Sequence, residues 1–365
     1  MLLTVVLLAW AVRGMSPTLV WHAVKSARVE WLAAGLISMM AAFSLRARRW
    51  GTLLAGSHDP GSFHVRHSAV FIGFGANCFL PANAGEIVRA AVLNQRGSVP
   101  LGAAVGSILT ERLFDFLVVF LFLVVSLSAR VANHTDVPAL HLLPIGWLAL
   151  TIVILSFAFT LAAHRPELLT HWVSRWTRAV GLGRFIPQTE STLRSLLSGV
   201  SVFRSPRRTT QALAETVVMW GLVTLAYWCW MAAFGINSLG WTAAMFAQSI
   251  TALAIALPSS PGYFGPFDAG LRFALGTYSL PVNTIIAYTL SLHFLLFLSL
   301  ATLGLIFLLR LGLPWSALLQ EATIRPAAHS PWRGSEDTEP TKPLEQTAQA
   351  VGGGAPARPG LLHRE

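Results

Sequence analysis

Residues 101–128 read LGAAVGSILTERLFDFLVVFLFLVVSLS, and apart from Glu111, Arg112 and Asp115 this stretch carries no charge and no proline. As a helix rising 1.5 Å per residue it would run about 42 Å, more than the ~30 Å hydrocarbon layer of a bilayer. Glu111 then lies about 15 Å from the Leu101 end, near mid-membrane. Ionised groups at that depth are costly unless paired, and they usually mark a pathway or a binding site. One face of a helix brings Glu111 and Asp115 together at i,i+4, with Arg112 in reach of Asp115 at i,i+3. A self-neutralising cluster that only locks helix packing is the competing reading.

The rest of the chain has the same character. Of 365 residues, 54% are hydrophobic and 12% charged, against roughly 25% charged in an ordinary soluble domain. Further apolar segments are Leu2–Val12, Val29–Leu45, Val65–Leu80, Leu140–Ala163, Ala212–Phe234, Trp241–Leu257 and Val282–Leu309. This predicts an all-α integral membrane protein, a polytopic bundle of about 6–8 hydrophobic segments. Met1–Val12 has no basic start and no obvious cleavage site, and at about 18 Å it is short for a crossing. Cys78 and Cys229 both fall in apolar segments and read as small packing residues.

The net charge of +10 lies between apolar runs, so it signals topology and anionic headgroups rather than nucleic acid. Arg46, Arg48 and Arg49 predict one cytoplasmic loop, and the basic segment 164–208 predicts another. Within the second, Leu169, Trp172, Val173, Trp176 and Val180 recur at helical spacing opposite Arg175 and Arg178, which predicts an amphipathic helix in the membrane surface. Three apolar segments separate the two basic regions, so one must enter and return. Val65–Leu80 is short and is followed by Arg89 and Arg96, and the same test singles out Trp241–Leu257. From about 321 to 365 the Pro, Gly and charge content predicts a disordered cytoplasmic tail.

Those two returning regions resemble each other. Each has Leu-Pro-x-x-x-Gly (Pro81 to Gly85, Pro258 to Gly262), an amphipathic stretch, a second proline (Pro100, Pro281) and a long helix in which Arg112 falls opposite His293. The shared order predicts a duplication, repeat one at about 64–128 and repeat two at about 241–310. Their orientations would be inverted, each with a re-entrant broken helix, as in many transporters. In the first turn, Asn83 and Glu86 have the spacing of a capping box; in the second, Ser260 precedes Pro261. The same geometry would leave helix N-termini facing a phosphate. Gly85, Gly262 and Gly265 would let a headgroup or a second helix come close. Asp268 and Arg272, spaced i,i+4, are two of three charged residues between Thr209 and Leu309, and read as a site pair or a surface ion pair. The chain has no phosphate-binding Gly-x4-Gly-Lys loop, no HExxH and no CxxC. No cofactor or metal is expected.

RARRWGTLLAG at 46–56, GFGANCFLPANAGEIVRA at 73–90, TERLFD at 110–115 and LPSSPGYFGPFDAGL at 257–271 resemble, in that order, the lysylphosphatidylglycerol synthase transmembrane-region family. The resemblance implies a flippase-like domain over residues 1–320 in a bacterial inner membrane, similar to the membrane half of multiple-peptide-resistance factors. It further implies movement of an anionic, modified or polyprenyl-linked lipid, with a lipid-modifying synthase or glycosyltransferase as a possible partner. Tyr263 and Asp268 stand where the family often has Gly and Glu. The soluble aminoacyl-transferase half has no counterpart here, so synthase activity is not expected. A membrane-embedded lipid-modifying transferase, with Glu111 or Asp115 as base, and a non-transporting partner of a synthase are the alternatives. The candidate binding residues are Asn83, Gly85, Glu86, Arg89, Glu111, Arg112, Asp115, Ser260, Gly262, Gly265, Asp268, Arg272 and His293.

Overall fold

A computed structural model describes residues 10, 13–14, 16–56, 58–97, 99–132, 150, 154, 157–158, 160–179, 186–256 and 260–313. These fall within one compact unit, Met1–Ala327. Among them the secondary structure is entirely helical: α1 Pro17–Lys25, α2 Val29–Leu54, α3 Phe63–Asn77, α4 Gly85–Gly97, α5 Leu101–Ala132, α6 Pro166–Ala179, α7 Ile186–Ser198, α8 Pro206–Ala233, α9 Gly240–Ala256, α10 Pro266–Gly276 and α11 Val282–Leu311. Most of segments Leu2–Val12 and Leu140–Ala163, and the tail beyond 313, lie outside the described residues.

Among the described residues, four helical stretches are long and apolar enough to cross a membrane: Val29–Leu54, Pro206–Ala233, Asn237–Ala256 and Val282–Leu311. The protein is thus an all-α multi-pass membrane protein. The short segment at Trp241–Leu257 therefore does not stand out by length, because a 3-10 turn at Asn237–Leu239 extends it. By contrast α3 is only about 22 Å long. The longest helices carry exposed apolar rows. Leu109, Leu117, Leu121 and Val125 are exposed on α5, and Phe294, Leu298, Leu305 and Leu309 on α11.

Helices α2–α5 and α8–α11 repeat one another in their contacts. In each set a long helix packs on a short one (α2 on α3, α8 on α9), the two short ones form a hairpin, and the returning helix packs on the closing long one. The sets also exchange partners, α11 packing on α3 and α5 on α9, with the most extensive pairing between α2 and α8. Each set has its own apolar core. One is built on Trp50, Ile72, Val92 and Ala104, the other on Trp230, Phe246, Leu271 and Tyr288.

Contacts give the directions. Trp50 Nε1 donates to Ser107 while Arg46 reaches Asp115, so α2 and α5 are antiparallel. Thr52 meets Glu215 while Ser38 meets Leu222, so α2 and α8 are antiparallel as well. Both ends of the α3–α4 hairpin lie together, where Gly61 meets Gly97, beyond the end of α2. Both ends of the α9–α10 hairpin lie together where Phe246 packs on Tyr278, beside Arg130 near the end of α5. Each hairpin turns back on two consecutive left-handed residues, Ala82 and Asn83 after Pro81, Gly262 and Tyr263 after Pro261. The backbone thus matches Pro81 with Pro261, three positions later than the Pro-x-x-x-Gly alignment to Pro258.

One sequence expectation is corrected here. Arg46 and Arg49 do not mark a cytoplasmic loop: α2 continues to Leu54 and both side chains are buried in it. Their charges are met by carboxylates from α5, which a count of loop charges does not see. Only Arg48 remains on the surface, beside Glu215 at 3.4 Å. In the amphipathic α6, Thr170 and Ser174 form the buried seam and Ser174 donates to Glu190 of α7 at 2.6 Å, while Trp172 and Trp176 stay exposed, 5.9 Å apart.

Candidate functional site

The hairpin turns meet: Asn77 Nδ2, at the end of α3, donates to the Tyr263 hydroxyl at 2.9 Å. Beneath them lies a cavity of about 450 Å³ walled by α2, α5, α8, α9 and α11 and largely apolar. Arg46, Glu86, Arg112, Asp115 and His293 reach its wall, as do Asn83, Gly262 and Tyr263.

One end of the cavity is ionic. Arg46 Nη1 lies 2.6 Å from Glu111 and 2.9 Å from Asp115. Arg49 Nη1 donates to Asp115 at 2.6 Å and to Thr216 at 2.9 Å, and Trp220 Nε1 adds a third bond to that carboxylate at 3.1 Å. Arg89 Nη1 reaches Glu111 at 3.2 Å and its guanidinium stacks on Trp50. Arg112 pairs with Glu86 and approaches Asp115 at 3.9 Å. The group comprises Arg46, Arg49, Arg89 and Arg112 against Glu86, Glu111 and Asp115, so it carries one positive charge in excess. Arg49 and Arg89 are fully buried behind it, whereas Arg112 is one-third exposed. Glu111 and Asp115 are therefore neutralised chiefly from α2 and α4, and only weakly by Arg112 on their own helix. Because Arg49 and Arg89 are buried away from the cavity, the guanidinium groups that reach its wall are those of Arg112 and Arg46. Arg89 does not line the cavity.

The second turn has a simpler arrangement. His293 Nδ1 lies 2.9 Å from Asp268 Oδ1, and its Nε2 lies 2.7 Å from the Gly262 carbonyl oxygen. Phe264 and Phe267 flank the ring at 4.6 and 4.4 Å. The Gly262 carbonyl can only accept, so Nε2 donates to it. Asp268 also accepts from the Gly265 N–H at 3.1 Å. The two ends match. In each, a basic side chain of the long helix (Arg112, His293) pairs with an acid in the first turn of the returning helix (Glu86, Asp268).

Several expectations are replaced. Asn83 is left-handed at φ 58° and contributes its carbonyl to Glu86 N–H, not a side-chain cap; Asn77 Oδ1 accepts the Gly85 N–H instead, at 2.7 Å. Ser260 likewise caps no helix; its hydroxyl donates to the Phe264 carbonyl at 2.6 Å. The Gly85 N–H at the start of one returning helix is thus met by Asn77, and the Gly265 N–H at the start of the other by Asp268. Gly85 admits a helix rather than a headgroup, since a Cβ there would overlap the Gly73 carbonyl of α3. Gly265, at φ 93°, serves the turn. Arg272 does not pair with Asp268; it donates to the carbonyls of Trp10 and Arg13 at 2.6 and 2.7 Å. Asn77, Arg46, Arg49 and Gln248 were not among the candidate binding residues read from sequence. Two arginines in the apolar surroundings of α2 were the available signal.

Fold and site together define a multi-pass helical membrane protein with a charged cavity between two hairpin turns. Residues 1–304 match the family described as lysylphosphatidylglycerol synthase TM region, and the chain belongs to that family. Over 121 residues it is 31% identical to a protein named glycosyltransferase AglD of Haloferax volcanii, a match covering 33% of this chain and 19% of that protein. No solved structure matches the chain.

Proposed function

We propose that the protein moves an anionic lipid, a modified phospholipid or a polyprenyl-linked lipid, across a bacterial inner membrane. The observation that carries this reading is the cavity itself: an apolar chamber of about 450 Å³ with excess positive charge at one end. Apolar walls suit acyl or isoprenoid chains, and Arg112 and Arg46 suit a phosphate. The matched contacts, opposite helix directions and paired turns of α2–α5 and α8–α11 support two inverted repeats, each with a re-entrant hairpin, one opening to each side. Backbone that leaves helical geometry at membrane depth must be buried or line a cavity, and Asn83, Gly262 and Tyr263 of the two turns do line one. The basic segment 164–208 would lie on the cytoplasmic side, where Ser201 packs beside Gly56 at the end of α2.

Purified protein in liposomes tests this directly. Wild type should carry a fluorescent anionic phospholipid between leaflets, and Arg112→Ala should slow it by at least about tenfold, the loss of one charge-assisted contact. Equal rates would overturn the reading.

The partial likeness to a protein named a glycosyltransferase favours, as a second reading, a membrane-embedded lipid-modifying transferase or a non-transporting partner of one. Mass spectrometry of lipids from a deletion strain separates them. A missing lipid species supports the enzyme, and a changed sidedness of an existing lipid supports transport.

A further inference from the structure

On α9, residues 248, 251, 252 and 255 recur at helical spacing, and all line the cavity. Gln248 is only 1% exposed, and neither its Nε2 nor its Oε1 has a hydrogen-bond partner among the described residues. A buried carboxamide without partners is destabilising, and native proteins rarely keep one without reason.

Its position is distinct from the ionic end. Gln248 lies eight residues, or about 12 Å, from the Ala256 end of α9 at the hairpin turn. The cavity runs the same way along the other walls: from Arg46 to Met39 on α2, from Arg112 to Val119 on α5, and from Trp220 to Tyr227 on α8, each about 10 Å. Tyr227 in turn stands beside Thr251. Guanidinium groups therefore reach the wall at one end of the chamber, and at the other an uncharged amide is packed within the wall.

We propose that Gln248 forms a neutral subsite for a hydroxyl or amide of the same lipid headgroup whose phosphate is drawn to Arg112 and Arg46. A carboxamide offers both donors and an acceptor, which a hydroxyl or amide can use together. A bare phosphate lacks a complementary donor, and a quaternary ammonium has no N–H at all. The inference rests on the lipid-handling reading and narrows it to phospholipids with a hydroxylated or amide-bearing headgroup.

The test uses the full chain in phosphatidylcholine nanodiscs, titrated with short-chain phosphatidylglycerol, which carries headgroup hydroxyls, and with phosphatidic acid, which carries phosphate alone. Gln248→Leu should weaken phosphatidylglycerol binding about tenfold, leave phosphatidic acid unchanged, and hold or raise the melting temperature without added lipid. Gln248→Met, unbranched and of similar length, serves if leucine does not pack. Equal loss for both lipids, no loss for either, or a lowered melting temperature without lipid overturns the subsite. Arg112→Ala should weaken both lipids alike. If it affects neither, the lipid-cavity reading fails; if it acts while Gln248→Leu shows no selective loss, the subsite alone fails.

Discussion

The two hairpin turns share a frame and differ in chemistry. At the first, Arg112 and Glu86 sit in front of Arg46, Arg49, Arg89, Glu111 and Asp115, a network whose cations are permanently charged. At the second, the matching pair is His293 and Asp268, enclosed by Phe264 and Phe267, with no second layer of ion pairs behind it among the described residues. A frame of long helix, broken hairpin and long helix fixes where a basic side chain and an acid can meet. What surrounds that meeting point decides whether the result is a permanent electrostatic sink or a single histidine link. The first turn is suited to attracting an anion, and the second to holding its own backbone, since His293 ties α11 to the Gly262 carbonyl inside the turn.

This contrast can be broken by removing its ions in turn. The largest effect should come from Asp115→Ala, which leaves Arg46 and Arg49 buried with Glu111 as their remaining carboxylate. A loss of about 3–5 kcal/mol is expected for stripping a buried cation of its partner. It would appear as lost monodispersity and a collapsed melting temperature in detergent; a wild-type profile would show that the network is not holding the bundle. His293→Ala should cost less, about 2–3 kcal/mol, since Asp268 keeps the Gly265 N–H and one charge-assisted bond is lost. Thermal unfolding of the two variants side by side measures the difference, and a larger loss at His293 than at Asp115 would reverse the comparison. Tyr263→Phe should be the mildest. It removes only the Asn77–Tyr263 bond between the turns, worth about 0.5–1 kcal/mol between membrane helices. Its stability should barely move, and any change in lipid transfer much above that scale would mean that the link between the turns governs motion as well as packing.

Much of this was legible before any coordinates. Apolar runs of helical length predict the bundle, and Pro81, Pro100 and Pro281 predict where its helices break or begin, because proline ends helical pairing. Glu111, Arg112, Asp115 and His293 stand out because charge and imidazole are rare in such surroundings. The partners did not stand out. Arg46 and Arg49 read as loop charges because they sit near the end of an apolar run, and nothing local says that carboxylates of α5 will reach them. Asp268 read as the partner of Arg272 because spacing along one helix is all that sequence offers; the fold instead sets His293 of α11 against it. Asn83 read as a cap, but its left-handed backbone turned the cap over to Asn77, an uncharged residue within an apolar helix.

The chain alone determined that it must be helical, membrane-embedded, twice interrupted at Pro-Gly turns and sparing with buried charge, because those properties follow from solvation and backbone geometry along a single segment. Only the tertiary structure decided which charges cancel, which remain to face a ligand, and that Gln248 stands unpartnered beside the cavity. The reason is physical: a guanidinium, carboxylate or amide in a bilayer is defined by the helices packed around it, and those helices are far apart in sequence.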